Sequence, residues 1–143
     1  MEPTIAVMKL HPAARLPRYS TAGAAGLDLY ACLDQPTDVP PGAILLVPTG
    51  LAVAIPTGYV GLVRDRSGLA VAGLHTLAGV IDSDYRGEVK VALHNAAPVA
   101  RSIHPGDRVA QMLILRCPQV QVVELPELPP TERGEGGFGS TGR

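Results

Sequence analysis

Short polar motifs at the edges of apolar stretches carry the side chains that could do chemistry. AGLDLYA places Asp28 between two leucines, so on a half-buried strand this carboxylate points away from the leucine face. GVIDSDYRGE places Asp82 directly after an apolar pair, where a partly buried carboxylate can act as a general base toward water. Asp28 could instead be an ordinary solvated residue that points outward. Asp84, two residues after Asp82, is most simply explained as a turn former.

A second set of residues is suited to binding an anion. In RDRSGLA, Arg66 and Ser67 stand where a strand meets a turn, so a guanidinium, a hydroxyl and the N–H groups of a first helical turn can converge. In GDRVAQ, strict alternation puts Asp107, Val109 and Gln111 on one face of a strand. Inward-leaning polar side chains need partners, and Arg66 is a candidate for both Asp107 and Gln111. The plainer alternatives are a surface arginine with a serine cap and a charge cluster at a strand end.

The segment ERGEGGFGSTGR, residues 132–143, is rich in glycine. Successive N–H groups of such a chain can form an anion-binding nest, which Arg133, Ser140 and Thr141 would extend. Phe138 is the only phenylalanine in the protein, and an aromatic ring in this setting is best explained if it stacks on a flat surface such as a nucleobase. An inert flexible end is the usual alternative for this composition. A nest beside a stacking ring favours a nucleotide ligand.

Composition argues against other classes of function. The four histidines show no metal-binding spacing, and the sequence has no G-x-S-x-G nucleophile elbow. With 12 basic against 13 acidic residues, there is no large cationic field for binding nucleic acid. Cys32 and Cys117 form no C-x-x-C pair and lie in apolar runs, so we expect reduced core thiols. MEPTIAVMKLHP is neither an export signal nor a membrane span, so we expect a soluble cytoplasmic protein.

The pattern of apolar runs predicts an all-β protein. Seven strand-like runs are bounded by turn-forming residues: TIAVMKL, GLDLYACL, AILLVPTGLAVAI, GYVGLVR, EVKVALHN, RVAQMLILR and VQVVEL. GVIDSDYRGE is typical of a β-hairpin with function at its tip, and SGLAVAGL, residues 67–74, could form one helical turn. We expect a jelly-roll over residues 1–125, followed by a flexible segment over residues 126–143.

Five motifs together resemble those of the trimeric deoxyuridine triphosphate nucleotidohydrolases, or dUTPases. They are AGLDLYA, RSGLA, GVIDSDYRGE, GDRVAQ and RGEGGFGSTG, in this order over residues 25–142. Each motif is weak alone, but five in order are highly specific. The resemblance implies a homotrimer of β-clip jelly-rolls with active sites at subunit interfaces, Mg²⁺ on the triphosphate, and hydrolysis of dUTP to dUMP and pyrophosphate.

The resemblance also implies a role for each matching residue. Asp82 corresponds to the general base that orients the attacking water, and Asp28 to the carboxylate that helps hold the metal through its water shell. Asp107 would support Arg66. The implied substrate-binding residues are Arg66, Ser67, Gly68, Tyr85 and Gln111, together with Arg133, Phe138, Gly139, Ser140 and Thr141 of a C-terminal lid that closes over a neighbouring subunit's site.

The segment TLAGV is the candidate reader of the base; its residues are Thr76, Leu77, Ala78, Gly79 and Val80. The N3–H and O4 groups of uracil have the reverse hydrogen-bond polarity to the N3 and amino groups of cytosine, so a backbone that suits uracil leaves cytosine mispaired. The Tyr85 ring would leave no room for a ribose 2′-hydroxyl. Two departures from the family pattern stand out: Asp65 replaces a common proline, and Thr76 and Leu77 replace asparagine or glycine.

Two other functions compete with dUTP hydrolysis. A dCTP deaminase of the same fold would release ammonia, and a complete stacking tail argues against it. A non-catalytic trimer that senses dUTP and signals to a protein partner belongs to another class. The joint presence of Asp82, Tyr85 and Arg133 argues against that reading.

Overall fold

The computed structural model describes residues 2–139 and 142. Its elements in chain order are β1 (Ala6–Lys9), β2 (Arg18–Tyr19), β3 (Leu27–Tyr30), β4 (Thr37–Val39), β5 (Ile44–Ala54), β6 (Tyr59–Arg64), α1 (Ser67–Val71), β7 (Leu74–Leu77), β8 (Val80–Ile81), β9 (Glu88–Asn95), β10 (Arg101–Ile103) and β11 (Arg108–Arg116). Within these described residues, no helix is long and apolar enough to cross a membrane.

Two antiparallel sheets form the body of the protein. One has the strand order β1-β5-β9-β7, the other has the order β2-β3-β11-β6-β8, and β4 pairs separately with β10. Strands far apart in sequence lie side by side, as β3 does with β11 and β5 with β9. Long connections between paired strands are characteristic of jelly-rolls. The predicted all-β jelly-roll class is therefore confirmed.

One apolar cluster joins the two sheets. Along β9, Val89, Val91 and Leu93 are buried, while the residues between them are exposed or half-buried, which is the period of two that a strand imposes. Leu29 and Met112 bring the other sheet into the same cluster. Each fully buried aliphatic side chain stabilises the fold by roughly 1.5–3 kcal/mol. Branched aliphatic residues thus supply the core that a chain poor in aromatic residues needs.

The predicted helical turn is confirmed as α1. It is short because Gly73, two residues after its end, takes a left-handed conformation with φ 97°. A Cβ at this position would come within 2.6 Å of the Ala97 Cβ and 2.9 Å of the Ala97 nitrogen. Both the backbone angle and the close approach of residue 97 therefore favour glycine here.

The prediction that GVIDSDYRGE is a hairpin is wrong. Strand β8 pairs with β6 in the five-stranded sheet, whereas β9 pairs with β5 and β7 in the other sheet. Residues 82–87 therefore cross from one sheet to the other, with the Tyr85 N–H donating to the Asp82 carbonyl at 3.2 Å. The turn chemistry was correctly recognised, but the partners of the flanking strands are set by residues elsewhere in the chain.

The strand predicted at VQVVEL is also wrong. Residues 117–139 contain no strand, and Val120, Val122 and Leu125 are exposed. The last strand ends at Arg116, so regular structure stops before the expected boundary at residue 125. A run with strand propensity needs a neighbouring strand to supply its hydrogen bonds, and no described strand of this chain pairs with it.

The cysteines are both free, but they are not core thiols. Cys117 is exposed and Cys32 is half-buried. Burial, together with the nearby carboxylates of Glu88 and Asp34, raises the pKa of the Cys32 thiol, which disfavours a reactive thiolate.

Candidate active site

Asp28 is the centre of a charged cluster on the outer face of the five-stranded sheet. Only 6% of the residue is exposed, because the face opposite the core leucines is covered as well. The Arg66 Nε atom lies 3.6 Å from one Asp28 carboxylate oxygen, and the Arg108 Nη1 atom lies 3.6 Å from the other. Both arginine side chains remain partly exposed, so their guanidinium groups can also meet an anion from solvent.

Gln111 lies beside this cluster, opposite Asp28 in the register between β11 and β3. Its Nε2 group donates to the Asp65 backbone carbonyl at 2.8 Å. Gly26 makes this position possible, because a Cβ on residue 26 would overlap the Gln111 side chain. A glycine inside a strand pattern signals this kind of close approach, so Gly26 was identifiable from sequence although its partner was not.

Arg66 and Ser67 occupy the junction between β6 and α1. Arg66 is the N-cap of the helix in an extended conformation, with φ −96° and ψ 132°. The Arg66 Nη1 group donates to the Arg108 carbonyl at 3.4 Å. Ser67 and Gly68 are exposed in the first turn, where backbone N–H groups lack partners within a helix. The structure thus brings five residues together where β6 ends beside β11 and β3: Asp28, Arg66, Ser67, Gly68 and Gln111.

Asp107 does not support Arg66. Its carboxylate accepts a hydrogen bond from the His104 N–H at 2.8 Å and lies 3.7 Å from the His104 ring nitrogen. The cause is a register shift in β11 between Arg108 and Ala110, which breaks the alternation expected over residues 107–111. Val109 and Ala110 are both buried as a result. The shift turns Arg108, which sequence reasoning had not selected, toward Asp28.

The TLAGV segment connects strands of different sheets by two residues of positive φ. Ala78 has φ 58° and Gly79 has φ 106°. The Gly79 carbonyl accepts a hydrogen bond from the Val63 N–H at 2.8 Å. At the other end of the segment, the Asp65 Oδ1 atom accepts bonds from the Thr76 N–H at 2.5 Å and the Thr76 hydroxyl at 2.6 Å. Asp65 therefore faces Thr76.

No contact joins Asp82 or Tyr85 to the Asp28 cluster among the hydrogen bonds and ion pairs of the described residues. Both line a cavity of about 390 Å³ with Val80 and Lys90, and no residue of the Asp28 cluster lines it. The Tyr85 hydroxyl donates to the Glu88 carbonyl at 2.8 Å. Asp82 is exposed in this single chain, contrary to the expectation of partial burial.

The C-terminal residues that the structure describes form a local turn. The Arg133 Nε group donates to the Gly136 carbonyl at 2.7 Å, and the Gly134 N–H donates to the Thr131 hydroxyl at 3.1 Å. Phe138 is fully exposed. The hydrogen bonds found for residues 131–139 join them to one another or to Gly142. Gly139 is described, whereas the predicted binding residues Ser140 and Thr141 lie outside the described residues.

The fold and the cluster define a class of protein. An all-β jelly-roll gathers two arginines, a glutamine and a buried carboxylate where β6 ends beside β11 and β3. The same chain carries a Gly-rich segment with an arginine and an exposed phenylalanine. Such an arrangement is suited to a phosphorylated ligand with a planar base. The dUTPase family model matches residues 13–142. The chain belongs to the dUTPase family of hydrolases.

Relatives and solved structures agree with this membership. The deoxyuridine 5'-triphosphate nucleotidohydrolase of Desulfotalea psychrophila is 52% identical over 130 residues, covering 89% of this chain and 87% of that protein. A mutant dUTPase of Staphylococcus bacteriophage 80alpha with dUpNHpp superposes with a TM-score of 0.91 at 27% identity, covering 98% and 99% of the two chains. A mutant dUTPase of S. aureus phage phi11, described with a structural Mg(II) ion, has a TM-score of 0.81 at 25% identity and covers 89% and 99%.

Substitution of Gly26 tests the packing beneath Gln111. We expect Gly26→Ala to lower the free energy of unfolding by about 1–3 kcal/mol, because the added methyl group must displace the Gln111 side chain. Chemical denaturation measures the change. Gly23→Ala is the matched control, since a Cβ there meets nothing within 4 Å. Equal stability of the two variants would contradict the predicted packing.

Proposed function

We propose that this protein hydrolyses dUTP to dUMP and pyrophosphate by attack of water on the α-phosphorus. The observation that carries the proposal is a cluster of charged and polar side chains in a chain of the dUTPase family. The cluster consists of Asp28, Arg66, Arg108 and Gln111. Arginine guanidinium groups and first-turn N–H groups are preorganised donors for the charge that develops on the phosphate oxygens. No covalent intermediate is needed, because water itself is the nucleophile.

Asp82 is the general base of this reaction. Its carboxylate accepts a proton from the attacking water as the oxygen bonds to phosphorus, and the pyrophosphate leaves on the opposite side. A positioned base of this kind contributes roughly 10²- to 10⁴-fold to the rate. The exposure of Asp82 in a single chain supports a site that is completed by a second subunit, because an exposed carboxylate cannot hold one water in place alone.

The base and the sugar are read by neighbouring segments. Backbone groups of Thr76, Leu77, Ala78, Gly79 and Val80 discriminate uracil from cytosine by hydrogen-bond polarity. Tyr85 packs against deoxyribose and excludes a 2′-hydroxyl. The bond from the Tyr85 hydroxyl to the Glu88 carbonyl holds the ring down over Gly87, where a Cβ would overlap it. These contacts hold the Tyr85 ring in one position, where it can pack against the sugar.

The residues present fit Mg²⁺ that is held mainly by the triphosphate. Groups of three potential protein ligands are absent from the described part of the chain, so a metal cage made only of side chains is not supported. One carboxylate, Asp28, stands within the proposed phosphate site and could accept hydrogen bonds from metal-bound water. Mg²⁺ commonly combines one or two carboxylates with substrate phosphates and retained waters. When bound, the cation would neutralise charge on the phosphate oxygens.

The protein is a homotrimer with active sites at its subunit interfaces. Ile44 and Leu46 are exposed on the outer face of the four-stranded sheet, and residues 120–125 add further exposed aliphatic side chains. Exposed aliphatic side chains in such number are consistent with a protein interface. The separation of the Asp82 cavity from the Asp28 cluster also supports a site assembled from more than one chain.

Residues 126–143 act as a lid over a neighbouring subunit's site. Arg133 binds the γ-phosphate, Phe138 covers uracil, and Gly139, Ser140 and Thr141 bind phosphate. The full exposure of Phe138 supports this role, because an aromatic ring in water gains from stacking on a base. Closure excludes water from the reaction, and opening releases products.

The cellular role follows from the products. Hydrolysis of dUTP keeps uracil out of DNA and supplies dUMP for thymidylate synthesis. We place the enzyme in the cytoplasm, because both of its thiols are free.

A panel of nucleotides tests the proposed activity. With Mg²⁺, the purified protein should release pyrophosphate from dUTP and much less from dCTP, dTTP or UTP, because base polarity, the thymine methyl group and the 2′-hydroxyl each misfit. Pyrophosphate and ammonia are measured for each nucleotide. Ammonia from dCTP would support the deaminase alternative, and equal turnover of UTP would remove the role of Tyr85.

Asp82→Asn tests the general base. We expect kcat to fall by roughly 10²- to 10⁴-fold while dUTP binding is retained, because the amide cannot accept the proton. Steady-state kinetics and calorimetric titration with dUTP separate the two effects. Asp84→Asn is the matched control in the same turn. Hydrolysis at the normal rate by Asp82→Asn would eliminate this residue as the base.

Removal of residues 131–143 tests the lid. The shortened chain should fold and form a trimer, because no described strand or core residue lies after Arg116. Its hydrolysis of dUTP should fall by about 10²-fold or more, since the γ-phosphate and uracil contacts are lost. Circular dichroism, sedimentation and pyrophosphate release give the three readouts. A fully active truncated enzyme would leave Phe138 without a function.

A further inference from the structure

The end of β6 makes a set of hydrogen bonds that the proposed chemistry does not use. Asp65 follows β6 directly and precedes Arg66, and its carboxylate faces β7. One carboxylate oxygen, Oδ1, accepts bonds from both the Thr76 N–H and the Thr76 hydroxyl. Two of the three positions that depart from the family pattern, Asp65 and Thr76, are therefore partners of each other.

A second bond holds the same segment from its other end. The Val63 N–H donates to the Gly79 carbonyl at 2.8 Å. Between these attachments lie Leu77 and Ala78, and Ala78 has a positive φ that is unfavourable for a residue with a Cβ. A backbone in such a conformation persists only where its surroundings hold it. Residues 63–65 therefore act as a clamp on residues 76–79.

Asp65 also connects this clamp to the charged cluster. Its backbone carbonyl accepts the bond from Gln111 Nε2. Arg66, the next residue, pairs with Asp28. Asp65 thus contacts both residues 76–79 and the charged cluster of its own chain.

The Asp65 carboxylate is suited to hydrogen bonds that persist at neutral pH. Partial burial alone would raise the pKa of Asp65, but the hydrogen bonds from Thr76 and the nearby His75 and Arg64 outweigh burial and lower this pKa. The group is therefore ionised at neutral pH, and bonds to an ionised acceptor are stronger than bonds between neutral groups.

We propose that Asp65 is a specificity-determining positioning residue, which holds residues 76–80 in one backbone conformation through its bonds to Thr76. The inference rests on the proposed function, because residues 76–80 must be the reader of the base. Reading uracil by backbone polarity requires that N–H and carbonyl groups stay in place, since a segment free to shift can pair with cytosine as well. The general base Asp82 lies outside the clamp, so the chemical step is affected less than recognition.

The test compares Asp65→Asn, Thr76→Val and the double variant with the wild-type trimer. Loss of a bond to a charged acceptor should raise KM for dUTP about ten-fold or more and lower the ratio of kcat/KM for dUTP over dCTP by a similar factor, with kcat changed little. The effects of the two substitutions should be less than additive in the double variant, because both weaken the hydroxyl-to-carboxylate contact between residues 76 and 65. Thr76→Ser keeps the hydroxyl and should restore most of the ratio.

The chain offers a matched control for these substitutions. Asp38 accepts a hydrogen bond from the Ser102 hydroxyl between β4 and β10, outside the cluster. Asp38→Asn and Ser102→Ala remove the same type of contact and should leave KM and the nucleotide ratio unchanged. The proposal is overturned if Asp65→Asn behaves like Asp38→Asn, or if its loss is confined to kcat.

Failure of the proposed function would be recognised separately. If the wild-type protein does not hydrolyse dUTP, the proposed function fails, and the clamp is then judged by nuclear magnetic resonance of the full chain. The Thr76 amide proton should shift as Asp65 titrates in acid, and this shift should be lost in Asp65→Asn. An identical Thr76 signal in both proteins would overturn the clamp as well.

Discussion

Burial of the Asp28 carboxylate is the constraint on which the site depends. A charge removed from water is tolerated only when opposite charges and hydrogen bonds compensate it. Arg66 and Arg108 provide this compensation, and they come from the end of β6 and the start of β11. Because β3, β11 and β6 are neighbours in the sheet, one buried carboxylate fixes the point where three strands place their functional side chains. The contacts that stabilise Asp28 therefore also hold the arginines ready for an anion.

The end of β6 extends this organisation beyond the charged cluster. Residues 63–65 bond to residues 76–79, and the Asp65 carbonyl bonds to Gln111. The acidic residue at position 65 looks unfavourable beside Arg66, which we propose binds phosphate, if only its charge is considered. Its carboxylate is directed toward Thr76 instead, so its charge is used in hydrogen bonds within the protein. Asp65 and Thr76, which both depart from the family pattern, thus contact each other, and the hydrogen bonds from Thr76 stabilise the Asp65 charge.

A single chain carries all of the proposed functional segments but does not bring them together. The Asp28 cluster, the Asp82 cavity and the described C-terminal residues are separate features of this structure. The exposure of Phe138, Asp82 and several aliphatic side chains supports the proposed assembly, in which each chain would supply part of a neighbour's site. Catalysis in such an assembly would depend on association.

The sequence by itself determined the all-β class, the position of α1, and the membership in the dUTPase family that the ordered motifs indicated. These features depend on local composition, turn residues and motif order, which can be read along the chain. Gly26 was also a visible signal, since a glycine at the start of a strand-like run can mark a close approach.

Only the tertiary structure decided the partners of β8 and β9, the unpaired state of residues 120–125, and the contact between Asp65 and Thr76. It also replaced Asp107 with Asp28 as the partner of Arg66, because the register shift between Arg108 and Ala110 changes the face that residues 107 and 108 occupy relative to Gln111. The physical reason is common to all of these cases. Strand pairing and side-chain contacts join residues distant in sequence, and a shift of one residue in register exchanges the faces of a strand without changing its local pattern.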